Sequence, residues 1–167
     1  MKQYLSLIDE STDGRRCDVT PIFRDPDAFR LLVNDLAAAC SGQPFTVVAG
    51  IDALGFILGS ALALAMGVGF VPIRKGGKLP VATDNAEFED YDGERTRLEV
   101  RRGAFAPGEK VLIVDEWIET GAQAFAAAAL VEGQGGVVAG IGTIHCDENA
   151  MTELLRERYS VRALRFG

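Results

Sequence analysis

Three short segments of the chain are apolar at nearly every position rather than at alternate ones. They are Phe45–Ala49, Val111–Val114 and Val137–Ile144. A strand with one solvent-facing side alternates apolar and polar residues, whereas a strand covered on both faces does not, and such strands are typical of parallel sheets. These segments therefore predict the inner strands of a parallel sheet.

Helical periodicity separates these strands. After Asp25-Pro26-Asp27, which offers a cap and a first-turn proline, apolar residues recur every three or four positions as far as Cys40. Gly55–Met66 and Thr120–Val131 also have helical patterns, so strands and helices alternate along the chain. We predict an α/β fold, with a doubly wound, mostly parallel sheet and helices on both of its faces.

One region interrupts this alternation. Thr83–Arg102 is densely charged, has almost no buried-strand pattern, and carries the hairpin-turn pair Asp92-Gly93 near its middle. We predict a mobile, solvent-facing flap over about residues 83–102. No linker or internal repeat divides the sequence, so residues 1–167 are expected to form a single domain.

Composition narrows the functional classes. The chain has 167 residues, 48% of them apolar, and a net charge of −7, which argues against the broad basic face that nucleic-acid binding requires. No apolar run is long enough to span a bilayer, and no secretory leader pattern is present. Three cysteines without paired spacing are expected to be reduced thiols. We predict a cytoplasmic protein that binds small molecules and neither nucleic acid nor membranes.

Candidate chemistry lies in three loops that follow predicted strands, where ligands bind in open α/β sheets. Gly50–Gly55 has the glycine spacing of a P-loop, but Phe56-Ile57 stands where lysine and a hydroxyl residue are needed, so that interpretation is rejected. The second loop, Arg74–Lys78, places three cations around two glycines in an otherwise acidic chain. It predicts an anion-binding turn, with a solvated surface turn as the alternative.

The third loop lies within Val111–Gln123, VLIVDEWIETGAQ. Thr120 and Gly121 open a predicted helix, where backbone N–H groups and a hydroxyl can bind a phosphate. Asp115 and Glu116 would repel that phosphate, but their carboxylates can accept hydrogen bonds from a neighbouring diol or hold Mg²⁺ through water. A sugar phosphate has both a phosphate and a diol. The alternative is an acidic loop followed by an N-capping threonine.

The same stretch resembles the phosphoribosyl-diphosphate motif of the type I phosphoribosyltransferases, with four apolar residues, two acids and a Thr-Gly phosphate loop. Asp18–Phe29 and Gly50–Pro80 are similar to stretches of the adenine phosphoribosyltransferases within that family, in the same order. The resemblance implies transfer of a 5-phosphoribosyl group from phosphoribosyl diphosphate to a purine base, first of all adenine, with release of pyrophosphate. It also implies Mg²⁺, bound mainly through the diphosphate donor, and a homodimer.

The resemblance further implies roles for individual residues. Asp115 and Glu116 would hold the ribose hydroxyls during catalysis, and Asp90 in the flap would assist proton movement on the base. The implied substrate-binding residues, covering pyrophosphate, ribose and 5′-phosphate, are Asp52, Ala53, Leu54, Gly55, Arg74, Lys75, Lys78, Asp115, Glu116, Glu119, Thr120, Gly121, Ala122 and Gln123. No residue is predicted to bind a metal directly.

Several positions depart from the family pattern. Leu54 and Cys17 stand where arginines are usual, and Ala122-Gln123 replaces the usual Gly-Thr of the phosphate loop. These exchanges leave open a non-catalytic module of the same fold that senses a nucleotide or sugar phosphate. A third interpretation is an α/β nucleotide-binding domain outside the family, in which Asp115 would not contact a ribose.

Two other residues invite a functional interpretation. His145 lies beside Cys146, but consecutive strand residues point to opposite faces, so the pair is not expected to share a metal ion. Trp117 is expected to be a packing anchor or dimer contact rather than a stacking partner for a base.

Overall fold

The computed structural model describes residues 2–12, 16–89 and 93–167. Its strands are β1 Val47–Ile51, β2 Gly69–Lys75, β3 Thr83–Glu89, β4 Arg95–Arg101, β5 Lys110–Ile118, β6 Val137–Cys146 and β7 Val161–Phe166. Its helices are α1 Thr20–Arg24, α2 Pro26–Cys40, α3 Leu54–Met66, α4 Ala122–Gly133 and α5 Ala150–Arg158, and a 3-10 helix covers Gln3–Leu7.

The strands of the described ranges form one sheet in the order β3-β4-β2-β1-β5-β6-β7. Five neighbouring strands, β2, β1, β5, β6 and β7, are parallel to one another. Strand β4 runs antiparallel to both of its neighbours, β2 and β3. Helices α2 and α3 pack on one face of the sheet, and α4 and α5 pack on the other. The predicted α/β fold, mostly parallel and covered on both faces, is confirmed.

The inner strands are apolar because both of their faces are covered. In β1 every residue is buried, and Val48 contacts the α2/α3 side while Ala49 contacts the α4 side. Gly50 lies where α3 approaches the strand most closely, since a Cβ there would be 2.6 Å from the Gly55 carbonyl oxygen. The absence of a side chain at Gly50 therefore lets the turn after β1 fold back onto the strand.

Helix α2 begins where its sequence pattern predicts. The Asp25 carboxylate accepts hydrogen bonds from the backbone N–H groups of Asp27 and Ala28, both at 2.9 Å, and Pro26 occupies the first turn. Its apolar residues at three- and four-residue steps are buried against the sheet. Among the helices of the described ranges, none combines the length and apolar character needed to cross a membrane.

The first predicted strand is displaced by two residues. It covers Val47–Ile51 rather than Phe45–Ala49, because its ladder with β2 begins at Val47 and continues to the pair formed by Ile51 and Ile73. The strand therefore extends to the residue immediately before Asp52, which shortens the predicted loop.

The predicted strand Val111–Val114 is longer than expected. It continues to Ile118 because β6 stays hydrogen-bonded beside it as far as Cys146. Asp115, Glu116 and Trp117 therefore lie within β5, and the expectation that they belong to a loop was wrong.

The predicted flap is a hairpin, and one end of it is part of the core. Strands β3 and β4 pair antiparallel along their whole lengths, and β4 also pairs with β2. Leu98 and Val100 are fully buried beside α4. The expectation of a wholly solvent-facing flap was wrong, because these two alternating apolar side chains complete the core. Asp92 of the predicted turn lies outside the described residues, and mobility of the hairpin stays a prediction.

We expect Leu98→Ala to lower the free energy of unfolding by about 2–5 kcal/mol, because it leaves a cavity between β4 and α4. Urea unfolding would measure the loss. The matched control is Leu154→Ala on α5, where the side chain is 53% exposed and the cost is expected within about 0.5 kcal/mol. Equal, small effects of the two changes would show that the hairpin does not contribute to the core.

Candidate functional site

The predicted site residues gather where the carboxyl ends of β1, β2 and β5 meet. β1 pairs in parallel with β2 on one side and with β5 on the other, so the turns that follow these strands are neighbours. Ligands of open α/β sheets bind at this edge. The three turns comprise residues 52–55, 76–78 and 119–121.

Asp52 joins the first two turns. Its Oδ2 lies 3.7 Å from Arg74 Nε and 3.6 Å from Lys78 Nζ, and the backbone N–H of Lys75 donates to it at 3.4 Å. The peptide bond between Asp52 and Ala53 is cis. The side chains of Arg74 and Lys78 both lie near this one carboxylate, and Lys75 adds a third cation to the same segment. The predicted pyrophosphate loop and the predicted cation turn are therefore in contact, with more cations than carboxylates among these four residues.

Glu99 of β4 is a residue that the sequence analysis missed. It is buried, and one of its carboxylate oxygens accepts hydrogen bonds from the backbone N–H groups of Lys78 at 2.7 Å and Leu79 at 2.8 Å. Burial raises the pKa of Glu99, but backbone donors at Gly77, Leu79 and Lys78 outweigh burial and lower the pKa below its usual value. Glu99 thus holds the cation turn in place. Its burial has no signal in the sequence, because alternation along β4 puts Glu99 on the face opposite the core residues Leu98 and Val100.

Gly55 brings the first turn against β5. A Cβ at this position would lie 2.7 Å from the Val114 carbonyl oxygen and 3.1 Å from Asp115 Oδ1. Leu54 beside it opens α3 and packs against the α2/α3 core, and Ala53 is exposed. The predicted pyrophosphate loop therefore contacts the predicted ribose acid directly.

Asp115 is a buried acid at the centre of the site. Its Oδ1 accepts a hydrogen bond from the Glu116 backbone N–H at 2.9 Å, and its Oδ2 accepts one from Gln123 Nε2 at 3.2 Å. Burial, followed by the neighbouring charge of Glu116, raises the pKa of Asp115 well above its usual range, while Arg16 opposes the rise. The side chain of Gln123, a residue predicted to belong to the phosphate cradle, thus contacts Asp115, the predicted ribose acid.

Two further carboxylates are buried beside Asp115. Glu116 is 9% exposed and Glu119 is 7% exposed. Within the described ranges, no hydrogen bond reaches Oε2 of Glu116 or either carboxylate oxygen of Glu119, and Arg16 Nε lies 3.4 Å from Glu119. Buried acceptors without donors are costly to the fold, so these oxygens are suited to hydroxyl or N–H donors of a ligand.

The turn after β5 exposes the N-terminus of α4. The helix begins at Ala122, two residues later than predicted, because Gly121 has a left-handed φ of +84° that a helix does not accommodate. Thr120 Oγ1 accepts a hydrogen bond from the Ala122 N–H at 3.3 Å. The first N–H groups of a helix have no partner within it and attract anions, so this turn offers the chemistry predicted for a phosphate.

A narrow cleft and a wide cavity meet at Glu119 and Thr120. The cleft also includes Arg16, Asp115, Gly121 and Gln123. The cavity, of about 1200 Å³, lies between the hairpin and α4 and is lined in part by Phe88, Phe125 and Asn149. A small polar cleft that opens into a larger, partly aromatic cavity suits a ligand with a phosphate and a planar ring.

No family model matches the chain, but individual relatives do. The adenine phosphoribosyltransferase of Chlorobium phaeovibrioides is 48% identical over 125 residues, which cover 73% of this chain and 70% of that protein. The enzyme of the same name from Pelodictyon phaeoclathratiforme is 41% identical over 151 residues, covering 88% and 85% of the two chains. The chain belongs to the adenine phosphoribosyltransferase family.

Solved structures of this family have the same fold. The adenine phosphoribosyltransferase of Thermoanaerobacter pseudethanolicus matches with a TM-score of 0.91 at 34% identity, covering 98% of both chains. The Giardia lamblia enzyme complexed with 9-deazaadenine matches with a TM-score of 0.88 at 29% identity, covering 98% of this chain and 96% of that one. The predicted type I phosphoribosyltransferase fold is confirmed.

Asp90 and Trp117 complete the set of predicted residues. Asp90 lies outside the described residues. Trp117 is buried, its Nε1 donates to Asp147 Oδ1 at 2.9 Å, and its ring stacks on His145 at 4.0 Å between centroids, which agrees with the predicted packing anchor. Among the described residues, no three His, Cys, Asp or Glu side chains are grouped closely enough to hold a metal ion.

We expect Asp115→Asn to raise the melting temperature at neutral pH by several degrees. The folded-state pKa of Asp115 lies above the unfolded value of about 3.9, so the wild type loses stability as the pH rises from that value through the folded-state pKa. The uncharged amide avoids this loss. The advantage of the variant should therefore disappear below about pH 3.9.

Thermal unfolding of both proteins between pH 3 and pH 8 measures this difference. Asp27→Asn, at an exposed acid of α2, is the matched control and should leave the pH dependence unchanged. A variant less stable than the wild type at neutral pH would contradict the assignment of a buried, destabilising charge to Asp115.

Proposed function

We propose that this chain transfers the 5-phosphoribosyl group of phosphoribosyl diphosphate to a purine base, with adenine preferred, in purine salvage. The products are a nucleoside monophosphate and pyrophosphate. One observation carries the proposal: buried acids, a helix N-terminus and a cationic turn lie side by side at one sheet edge in a member of this family. These groups match the diol, the 5′-phosphate and the diphosphate of the donor.

The donor's ribose is proposed to bind Asp115 and Glu116. Each carboxylate can accept hydrogen bonds from the 2′- and 3′-hydroxyls, and Glu116 Oε2 has no hydrogen-bond donor among the described residues. The 5′-phosphate would accept hydrogen bonds from the backbone of residues 120–123, where Thr120 adds a hydroxyl. Orientation of the donor by both groups would hold the anomeric carbon in a fixed position, which lowers the entropic part of the barrier.

The pyrophosphate is proposed to bind the surface formed by Asp52–Gly55 with Arg74, Lys75 and Lys78. Negative charge develops on pyrophosphate as its bond to the ribose breaks, and preorganised cations stabilise that charge most.

The residues present fit a Mg²⁺ that enters with the donor, because Asp115 and Glu116 supply oxygen acceptors and this ion usually retains waters and substrate phosphates as ligands. When bound, Mg²⁺ would neutralise part of the diphosphate charge.

The acceptor base is proposed to occupy the wide cavity beside Thr120. Glu119 lies at the junction of this cavity with the cleft, and its buried carboxylate can accept a hydrogen bond from an N–H of the base. A base that forms a bond through one ring nitrogen must lose a proton, and Asp90, which follows β3 in the sequence, remains the candidate for assisting that step. Closure of the hairpin would exclude the water that otherwise hydrolyses the donor.

Residues 1–167 are proposed to act as one domain and to form a homodimer through α3. Leu54–Met66 contains no charged residue, and Leu64 is 85% exposed and Ile57 43% exposed on its outer side. A second copy would cover this apolar face.

The three cysteines are free thiols, which agrees with the proposed cytoplasmic location.

We expect pyrophosphate release from phosphoribosyl diphosphate and Mg²⁺ only when a suitable base is supplied, and adenine to be the best acceptor. Chromatography of the nucleotide products from adenine, guanine, hypoxanthine, xanthine and uracil measures both activity and specificity. The absence of a monophosphate product with every base would exclude the transferase.

Asp115→Asn should reduce kcat/KM by about 10-fold or more, because it weakens a charge-assisted contact to the ribose.

A non-catalytic sensor is the second candidate, and Leu54 favours it, because an apolar side chain stands where the family usually has arginine. Calorimetry separates the two candidates. Binding of phosphoribosyl diphosphate or adenosine monophosphate without turnover would support the sensor, whereas turnover with adenine would exclude it.

We expect Leu64→Glu to convert the proposed dimer into a monomer, because a charge on the apolar α3 face cannot be buried against its copy without a large desolvation cost. Light scattering coupled to size-exclusion chromatography measures the mass. Leu31→Glu on α2, where the side chain is 48% exposed, is the matched control and should stay dimeric. A dimer that survives Leu64→Glu would place the interface elsewhere.

A further inference from the structure

Asn149 links helix α5 to the candidate phosphate turn through a single side chain. Its Oδ1 accepts hydrogen bonds from the backbone N–H groups of Met151 and Thr152, both at 3.0 Å, and so caps the helix. Its Nδ2 donates to the carbonyl oxygen of Glu119 at 2.7 Å. The capping function uses one end of the amide, and the other end contacts the residue immediately before Thr120.

The segment around Asn149 is itself held in place. The Asn149 N–H donates to Thr152 Oγ1 at 3.0 Å, and that hydroxyl donates to the Asp147 carbonyl oxygen at 2.7 Å. The Asp147 N–H in turn donates to the carbonyl oxygen of Ile118 at 2.8 Å. Two consecutive carbonyl groups at the end of β5 are therefore bound by one ordered segment.

The contact to Glu119 also orients an N–H group. The carbonyl of Glu119 and the N–H of Thr120 belong to one planar peptide unit, and in a trans peptide they point in opposite directions. A hydrogen bond that draws the carbonyl toward Asn149 therefore turns the Thr120 N–H away from α5. Thr120 lines the cleft at the N-terminus of α4, where the phosphate is proposed to bind.

We infer that Asn149 is a positioning residue for the 5′-phosphate of the donor, acting through the Glu119–Thr120 peptide. This inference rests on the proposed function. Asn149 also lines the wide cavity, but its amide already binds α5 and the Glu119 carbonyl. We therefore expect Asn149 to influence binding of phosphoribosyl diphosphate rather than binding of the base.

The two roles of Asn149 can be separated by substitution. Asp and Ser are both good N-cap residues, so Asn149→Asp and Asn149→Ser retain an acceptor for the first turn of α5. Neither provides the Nδ2 donor, and the serine hydroxyl is too short to span the same gap. The Ser variant adds no charge near the phosphate, which separates loss of the donor from electrostatic repulsion.

We expect both variants to raise KM for phosphoribosyl diphosphate by about 3- to 10-fold, the range that corresponds to one lost hydrogen bond. KM for adenine and the melting temperature should stay close to the wild-type values. Steady-state kinetics with each substrate varied in turn, together with thermal unfolding, measures the three quantities. Asn34→Ser, at an exposed asparagine of α2, is the matched control and should change none of them.

Three outcomes would overturn the inference. They are an unchanged KM for the donor in both variants, an effect confined to Asn149→Asp, and a parallel change in both KM values that accompanies a lower melting temperature. The last outcome would show that Asn149 acts only as a helix cap.

Binding of ribose 5-phosphate by calorimetry separates this inference from the proposed function. If the wild type forms no nucleotide with any base but binds ribose 5-phosphate, and Asn149→Ser binds it 3- to 10-fold more weakly, the transferase is excluded while the positioning role is supported. Equal binding by the wild type and Asn149→Ser, or no binding by the wild type, would overturn the positioning role.

Discussion

A carboxylate buried at the carboxyl end of a central strand is the constraint on which the site depends. Asp115 is taken out of water beside a second acid, which is unfavourable unless donors or a ligand compensate for it. Gln123 supplies one donor, the adjacent backbone supplies another, and Gly55 allows the neighbouring turn to cover the carboxylate. The buried Asp115 carboxylate thus lowers the free energy of unfolding but is held in place as a hydrogen-bond acceptor for a ligand. Such a loss of stability is common at binding sites.

Two family positions differ in this chain for reasons that the contacts explain in part. The side chain of Gln123 donates a hydrogen bond to Asp115, the proposed ribose acid, so at this position only the backbone is available to the proposed phosphate site. Leu54 packs against the α2/α3 core, and Asp52 of the same turn contacts Arg74 and Lys78. Positive charge at this edge of the sheet therefore comes from the end of β2 and the turn after it.

Sequence patterns predicted the features that depend on local periodicity or on a contiguous motif. The α2 cap at Asp25 and the buried β1 are local, and the acids and the phosphate turn occur in one stretch. The features that were missed depend on distant partners. The length of β5 is determined by β6, burial of Leu98 by α4, and the roles of Glu99 and Asn149 by turns far away in sequence. No single-segment pattern contains that information.

The close approach of Gly55 to Asp115 has a consequence for ligand selection. The shortest distance in this contact is to a backbone atom, the Val114 carbonyl oxygen, and β1 and β5 are adjacent strands. The separation between the turn at Asp52 and the turn at Thr120 therefore follows mainly from the spacing of neighbouring strands, about 4.8 Å. Two anionic groups of one ligand must match that separation to bind both turns at once. If both turns bind anions as proposed, the sheet itself would discriminate by molecular length and favour a sugar phosphorylated at both ends over one that carries a single phosphate.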